Sequence, residues 1–188
     1  RKRNAVPPEF VPLDRIDPGA IETLLDSAFG DDRHARTAYR IREGALAVPT
    51  LSFAALSDDG ELVGSIQCWP VQLREGDLRA PMVMIGPIAV DPAHQNIGIG
   101  RAMLAHVLSL TDESEAEDMK TQMLIGDPGY YAPFGFSADQ TGGWRLPGPV
   151  ERHRLLARGA MLGLSTGELE ARPLPAPRSG LRSAATLA

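Results

Sequence analysis

Apolar and polar positions in this chain follow two periods. Ile21, Leu24, Leu25 and Ala28 recur at i, i+3, i+4 and i+7, the spacing of an amphipathic helix. Asp17 and Pro18 stand ahead of them and Gly30 behind, as N-cap, first helical residue and stop. Met103, Leu104, Val107, Leu108 and Leu110 mark a second helical face. Elsewhere the apolar runs are short, partly β-branched and bounded by turn residues. Residues 51–56, 62–69, 80–90 and 121–125 read as strands, and Phe10-Val11-Pro12-Leu13 as a short first one. Ser57-Asp58-Asp59-Gly60 and Arg74-Glu75-Gly76-Asp77 are turns, so residues 51–90 predict an antiparallel meander. Residues 31–42, rich in Arg, His and Asp, predict a second short surface helix, broken at Gly44 and Pro49. The acidic run 112–118 reads as a connection, residues 130–136 are too brief for a long helix, and residues 144–164 have room for one or two strands. Helices, a meander, a βαβ-like crossover and further strands together predict an α/β (α+β) fold. Its central sheet is mixed and mostly antiparallel, with helices on its faces.

Length and composition narrow this picture only a little. The chain has 188 residues, which predicts one domain: a loose arm over 1–9, a folded body over 10–170 and a Pro/Ala/Ser-rich tail over 171–188. The formal charge of -5 argues against a nucleic-acid partner. No apolar run approaches the ~20 residues of a membrane span, and no apolar signal core follows Arg1-Lys2-Arg3. Cys68 is the single cysteine; without a possible internal disulfide the simplest compartment is the cytoplasm. The four histidines are scattered without ligand spacing, so no metal is expected.

The chemistry concentrates in residues 84–104. Apolar positions up to Val90 form a strand, Asp91-Pro92 stops it, and Gly98 and Gly100 precede a helix. Unpaired amides at a helix start and the positive end of its dipole suit a phosphate or pyrophosphate. The string is not a P-loop, which needs Gly-Lys-Ser/Thr after four residues. Nor is it a dinucleotide fingerprint: Met103 holds the third glycine's place, and seven residues separate Val90 from Gly98.

Gln95-Asn96-Ile97-Gly98-Ile99-Gly100, after a strand ending Val90-Asp91-Pro92, resembles the acetyl-CoA pyrophosphate loop of the GNAT superfamily of N-acetyltransferases. Two further strings match that family in order and spacing. They are Gly86-Pro87-Ile88-Ala89-Val90 before the loop and Gly126-Asp127-Pro128-Gly129-Tyr130-Tyr131-Ala132-Pro133-Phe134-Gly135-Phe136 after it. The latter is similar to the GDPxYYxxFGF string of a bacterial subgroup. Asp31-Asp32-Arg33-His34-Ala35-Arg36-Thr37 and Leu146-Pro147-Gly148-Pro149-Val150 also resemble that subgroup.

The resemblance implies a GNAT fold with a splayed strand pair, and acetyl-CoA as cosubstrate without a metal. The pantetheine arm would lie along Ile88, Ala89 and Val90, with the Ile88 amide facing the thioester carbonyl. Gln95, Asn96, Ile97, Gly98, Ile99, Gly100 and Arg101 would hold the pyrophosphate. Tyr131 would touch the cosubstrate and protonate the departing thiolate, with Tyr130 as its neighbouring rival. Transfer would be direct, onto a small-molecule or peptide amine; dimers are common in the family. No acidic residue or histidine occupies residues 82–90, so the base is unassigned. Asp127, His34, Glu43 and a water chain are the candidates for the base, and His34, Glu43, Trp69 and Asp127 those for acceptor contact, with a turn cap the plainer reading of Asp127. Two alternatives stay open: a GNAT-fold acyl-CoA sensor or partner protein without turnover, and an acyltransferase for longer acyl groups.

Overall fold

A computed structural model describes residues 7–160 and 163–173. In chain order the elements are β1 (Glu9–Pro12), α1 (Pro18–Phe29), α2 (Thr37–Ile41), β2 (Phe53–Leu56), β3 (Leu62–Glu75), β4 (Leu78–Val90) and α3 (Ile99–Glu113). There follow β5 (Thr121–Ile125), α4 (Pro128–Tyr131), β6 (Gly143–Arg145), β7 (Leu155–Gly159) and β8 (Thr166–Ala171). Eight strands form one sheet, in the order β1-β2-β3-β4-β5-β7 with β8 on the far half of β3 and β6 beside β8. Among the described residues only β4–β5 and β6–β8 are parallel. Mixed and mostly antiparallel, the sheet agrees with the fold class expected from the hydrophobic pattern.

Period-2 alternation sorts side chains onto the two faces. Cys68, Ile85, Leu124 and Leu156 point to the side covered by Ile99, Met103, Leu104 and Val107 of α3. Their neighbours Met84, Met123 and Leu155 point to the other side, around Trp144 and Ile41. Ile21, Leu24 and Leu25 of α1 pack there too, on Ala54 and Ala89. The start of α1 is as predicted: the Asp17 carboxylate accepts the Ala20 N–H at 3.0 Å.

Three elements differ from expectation. β3 continues past Trp69-Pro70 to Glu75. Proline usually stops a strand because it has no N–H. Here Pro70 falls where pairing to β2 has ended, at Ile66, and pairing to β8 has not begun, at Val71. The surface helix expected over 31–42 is a 3-10 turn, Asp31–Ala35, followed by the five-residue α2. β8 was not anticipated, since Thr166-Gly167-Glu168-Leu169-Glu170-Ala171 has little β-branched character. It also brings Ala171 and Arg172, in the sequence of the expected tail, against β3, where the Arg172 N–H donates to the Pro70 carbonyl at 3.0 Å. Most of the expected arm and tail lie outside the described residues.

Cys68 is fully buried, and burial pushes its thiol pKa up. We expect a colorimetric disulfide reagent to leave the native protein unmodified and to titrate one thiol in denaturant. Fast reaction of the folded chain would show that the β3 core opens.

Candidate active site

The site begins where the two central strands part. β4 and β5 pair only at Val83–Gln122 and Met84–Met123. Just beyond, Cys68 faces Ile85 and Ile66 faces Ile88, so Gly86 and Pro87 together oppose Gln67. That is a β-bulge, which bends its strand and shifts the alternation by one. Ile88 and Val90 consequently lie on the α3 side with Ile85, while Ala89 turns to α1. The bulged Gly86 carbonyl is satisfied by two donors, Trp69 Nε1 at 2.8 Å and Arg42 Nη1 at 3.3 Å.

The parted strands open onto a cleft of about 850 Å³. Ile85, Ile88 and Val90 line one wall and Leu124, Ile125 and Gly126 the other. Gly100, at the head of α3, closes one end beside Tyr130 and Tyr131. Arg33, Arg36, Tyr39, Arg40 and Arg42 come from α2 and the turn before it, and Val150, Glu151 and Arg154 from the run between β6 and β7. Among the described residues five arginines thus line the cleft against two carboxylates, Asp127 and Glu151, so it is cationic in a chain whose net charge is -5.

At the α3 end, Gln95 reaches back to the Val90 carbonyl through a long 3.5 Å contact. Asn96 and Gly98 have φ of 63° and 94°, and these left-handed residues fold the loop tightly before the helix. Among the described residues no backbone carbonyl accepts from the N–H groups of Ile99, Gly100 or Arg101. These are the orphan donors of a helix start, reinforced by the helix dipole. Ile97 is exposed, Ile99 is buried under the sheet, and the Arg101 guanidinium lies over the rings of Tyr130 and Phe134.

Tyr131 sits on the β5 wall. Its ring lies over Gly126, where a Cβ would come within 2.3 Å of Cε2, so only glycine leaves room for it. Burial, helped by Tyr130 and Asp127 and opposed by Arg154, pushes its phenol pKa up to about 12. Tyr130 is more exposed, and its hydroxyl lies at the head of α3, 3.5 Å from where a Gly100 Cβ would stand.

The four acceptor candidates separate. Asp127 lines the cleft, and its carboxylate accepts the Gly129 N–H at 2.9 Å as the cap of α4. Trp69 lies behind the cleft wall, bonded to Gly86 and stacked on Arg42. His34 and Glu43 do not line the cleft. The His34 ring is exposed, edge-on to Tyr39 and 4.0 Å from Glu22, because it lies on the outer side of the 3-10 turn. Glu43 is exposed just past the end of α2. Sequence reasoning named neither Arg42, Tyr39 nor Glu151. Their only signal was membership of, or adjacency to, the strings 31–42 and 146–150.

Comparison with known proteins is consistent from three directions. The acetyltransferase (GNAT) family model matches residues 19–124. The uncharacterized N-acetyltransferase YhbS of Escherichia coli K12 is 31% identical over 121 residues, 64% of this chain and 68% of the relative. The crystal structure of Escherichia coli YhbS in complex with CoA superposes with a TM-score of 0.69 at 26% identity, over 92% of this chain and 93% of that one. A GNAT family acetyltransferase from Brucella melitensis, crystallised with acetyl-CoA, shares the fold: TM-score 0.60, 22% identity, 87% and 95% coverage. Among the described residues no helix is long and apolar enough to cross a membrane, and no group of three or more His, Cys, Asp or Glu is arranged to hold a metal ion.

Proposed function

Because the chain belongs to the GNAT acetyltransferase family, we propose that it transfers an acetyl group from acetyl-CoA directly to an amine. The observation that carries this is the β4–β5 gap, which begins at the bulge and ends on the unpaired amides of α3. The gap's walls are apolar while its α3 end offers backbone donors, the combination that suits a long thioester arm with a pyrophosphate at one end. When bound, acetyl-CoA supplies an activated acyl group and a thiolate leaving group.

The chain's own residues do the rest. The amides of Ile97, Gly98, Ile99, Gly100 and Arg101 hold the pyrophosphate, with Gln95 and Asn96 shaping the loop. Ile88, the first residue after the bulge, gives the backbone N–H that stabilises a developing oxyanion; Ala89 and Val90 extend the same edge. Tyr131 aims its phenolic O–H at the departing sulfur and donates a hydrogen bond that strengthens as negative charge builds there. Asp127 and Glu151 are the carboxylates near enough to the cleft to take the amine proton, directly or through water. A cytoplasmic location is part of the same proposal, consistent with the single buried thiol.

The test is a pair of measurements. Acetyl-CoA at about 100 times its Kd should stabilise the protein by roughly 2.7 kcal/mol, and some amine in a panel should release free CoA thiol. Failure of acetyl-CoA to raise the Tm would defeat the cofactor assignment. Stabilisation without thiol release across the panel would point to a sensor, and stronger stabilisation by longer acyl-CoAs to a different acyl donor.

A further inference from the structure

Arg42 is a buried charge to which the fold gives no counter-ion. It is 8% exposed. Its guanidinium carbon lies 3.9 Å from the centre of the Tyr39 ring and 4.2 Å from that of Trp69. Its side-chain hydrogen bond is to the Gly86 carbonyl at 3.3 Å, and among the described residues no Asp or Glu forms an ion pair with it. Arg33, from the turn just before α2, is 2% exposed and satisfied: Asp26 at 2.9 Å, Tyr39 Oη at 2.7 Å, and Glu22. A buried cation without a partner is costly. Desolvation accordingly lowers the Arg42 pKa, with Arg33 adding repulsion and Tyr39 and Glu22 opposing. Such a group, on the wall of a cleft, is poised for an anion from outside.

Position says which anion. Arg42 bonds to β4 at Gly86 and follows Ile41, which packs on the face of the sheet opposite α3, whereas the α3 head meets β4 at Ile88 and Val90. Arg42 is therefore not placed to share the charge of a group held on the α3 amides. Both aromatic distances are stacking distances, so the flat faces of the guanidinium are occupied and its edge is left. A guanidinium edge is a planar fork that matches a planar carboxylate. We propose that the acceptor is an amine that also bears a carboxylate, a free amino acid or a compound built like one, and that Arg42 holds that carboxylate at the bulge end of the cleft. The proposal rests on the transferase reading above and gives its substrate class.

The experiment compares L-amino acids with their C-terminal amides as acceptors, by thiol release from acetyl-CoA above the amine pKa of both. Phosphoethanolamine serves as an anionic amine of different geometry. In the wild type the free acid should be preferred by roughly 100-fold in kcat/KM, since a site with an unpaired buried charge rejects the analogue that lacks the partner. In Arg42→Gln that ratio should collapse to within about threefold of unity, and Arg42→Lys should restore part of it. The Tm increase with acetyl-CoA, kept in both variants, reports an intact fold. Equal use of acid and amide by the wild type, equal losses for both in Arg42→Gln, or a preference for phosphoethanolamine would each overturn the proposal. Thiol release without discrimination removes this inference alone. Release with none of these amines but with another of the wider panel also removes this inference alone, and release with no amine at all removes the transferase reading and this inference with it.

Discussion

Tyr131→Phe should lower kcat by roughly 100-fold while leaving the KM for acetyl-CoA within about threefold of wild type, because one hydrogen-bond donor aimed at charge that develops in the transition state is worth about 10²–10³. The aromatic ring that packs on Gly126 and Phe136 is kept, so the change removes a proton donor and little else. The phenol pKa, raised to about 12 by burial, sets the pH dependence. The proton-bearing form is the active one; it is fully present below that value and is lost only as pH rises through it. Between pH 6 and 10 the wild-type rate should therefore climb with deprotonation of the acceptor amine and show no descending limb from Tyr131. A phenol this weak does not hand its proton to a thiolate outright, since the conjugate thiol ionises near 8.5 and is the stronger acid. It donates a hydrogen bond that strengthens as charge builds on sulfur. Tyr130→Phe is the control: its hydroxyl lies at the head of α3, so its loss should change acetyl-CoA KM more than kcat. Stopped-flow thiol detection with both variants decides the matter. A Tyr131→Phe enzyme at full kcat would move the acid role elsewhere.

The sequence was most legible where one residue type answers one local demand. The Asp17 cap, the α3 face, and β5 over 121–125 follow from propensity and period alone. The loop after Val90 was signalled by Gly98 and Gly100, and Gly98 does take left-handed backbone; the left-handed Asn96 carried no such signal. What could not be read depends on contacts distant in sequence. Pro70 lies inside a strand only because β2 has ended and β8 has not started. The bulge at Gly86–Pro87 requires β3 opposite it. Arg42 looked like one more polar residue on a surface helix. Its meaning comes from Trp69, Tyr39 and Gly86, which lie on three different elements. For His34 and Glu43 the resemblance locates a segment near the acceptor, but it does not say which side of a turn faces the cleft.

Trp144→Ala should lose about 3–5 kcal/mol of folding free energy and roughly 6–20 °C in Tm, the largest stability effect expected from a single side chain here. Trp144 is 1% exposed and packs in the cluster that contains Ile41 of α2, Met84 of β4 and Met123 of β5. Met84 and Met123 are the last residues at which β4 and β5 still pair, so this cluster anchors the closed end of the splay. Its indole N–H is buried without an acceptor among the described residues. Trp144→Phe removes that unsatisfied donor along with part of the ring, and the two changes offset; its Tm should fall by less than half as much. Because Ile41 precedes Arg42 in the chain and loses its packing partner, the alanine variant should also weaken acceptor binding before acetyl-CoA binding. Chemical denaturation with matched m-values, followed by acceptor and acetyl-CoA titrations on the still-folded variant, separates the two effects. A Tm loss below about 3 °C would mean that the cluster collapses around the hole and that the splay is anchored by the sheet pairing itself.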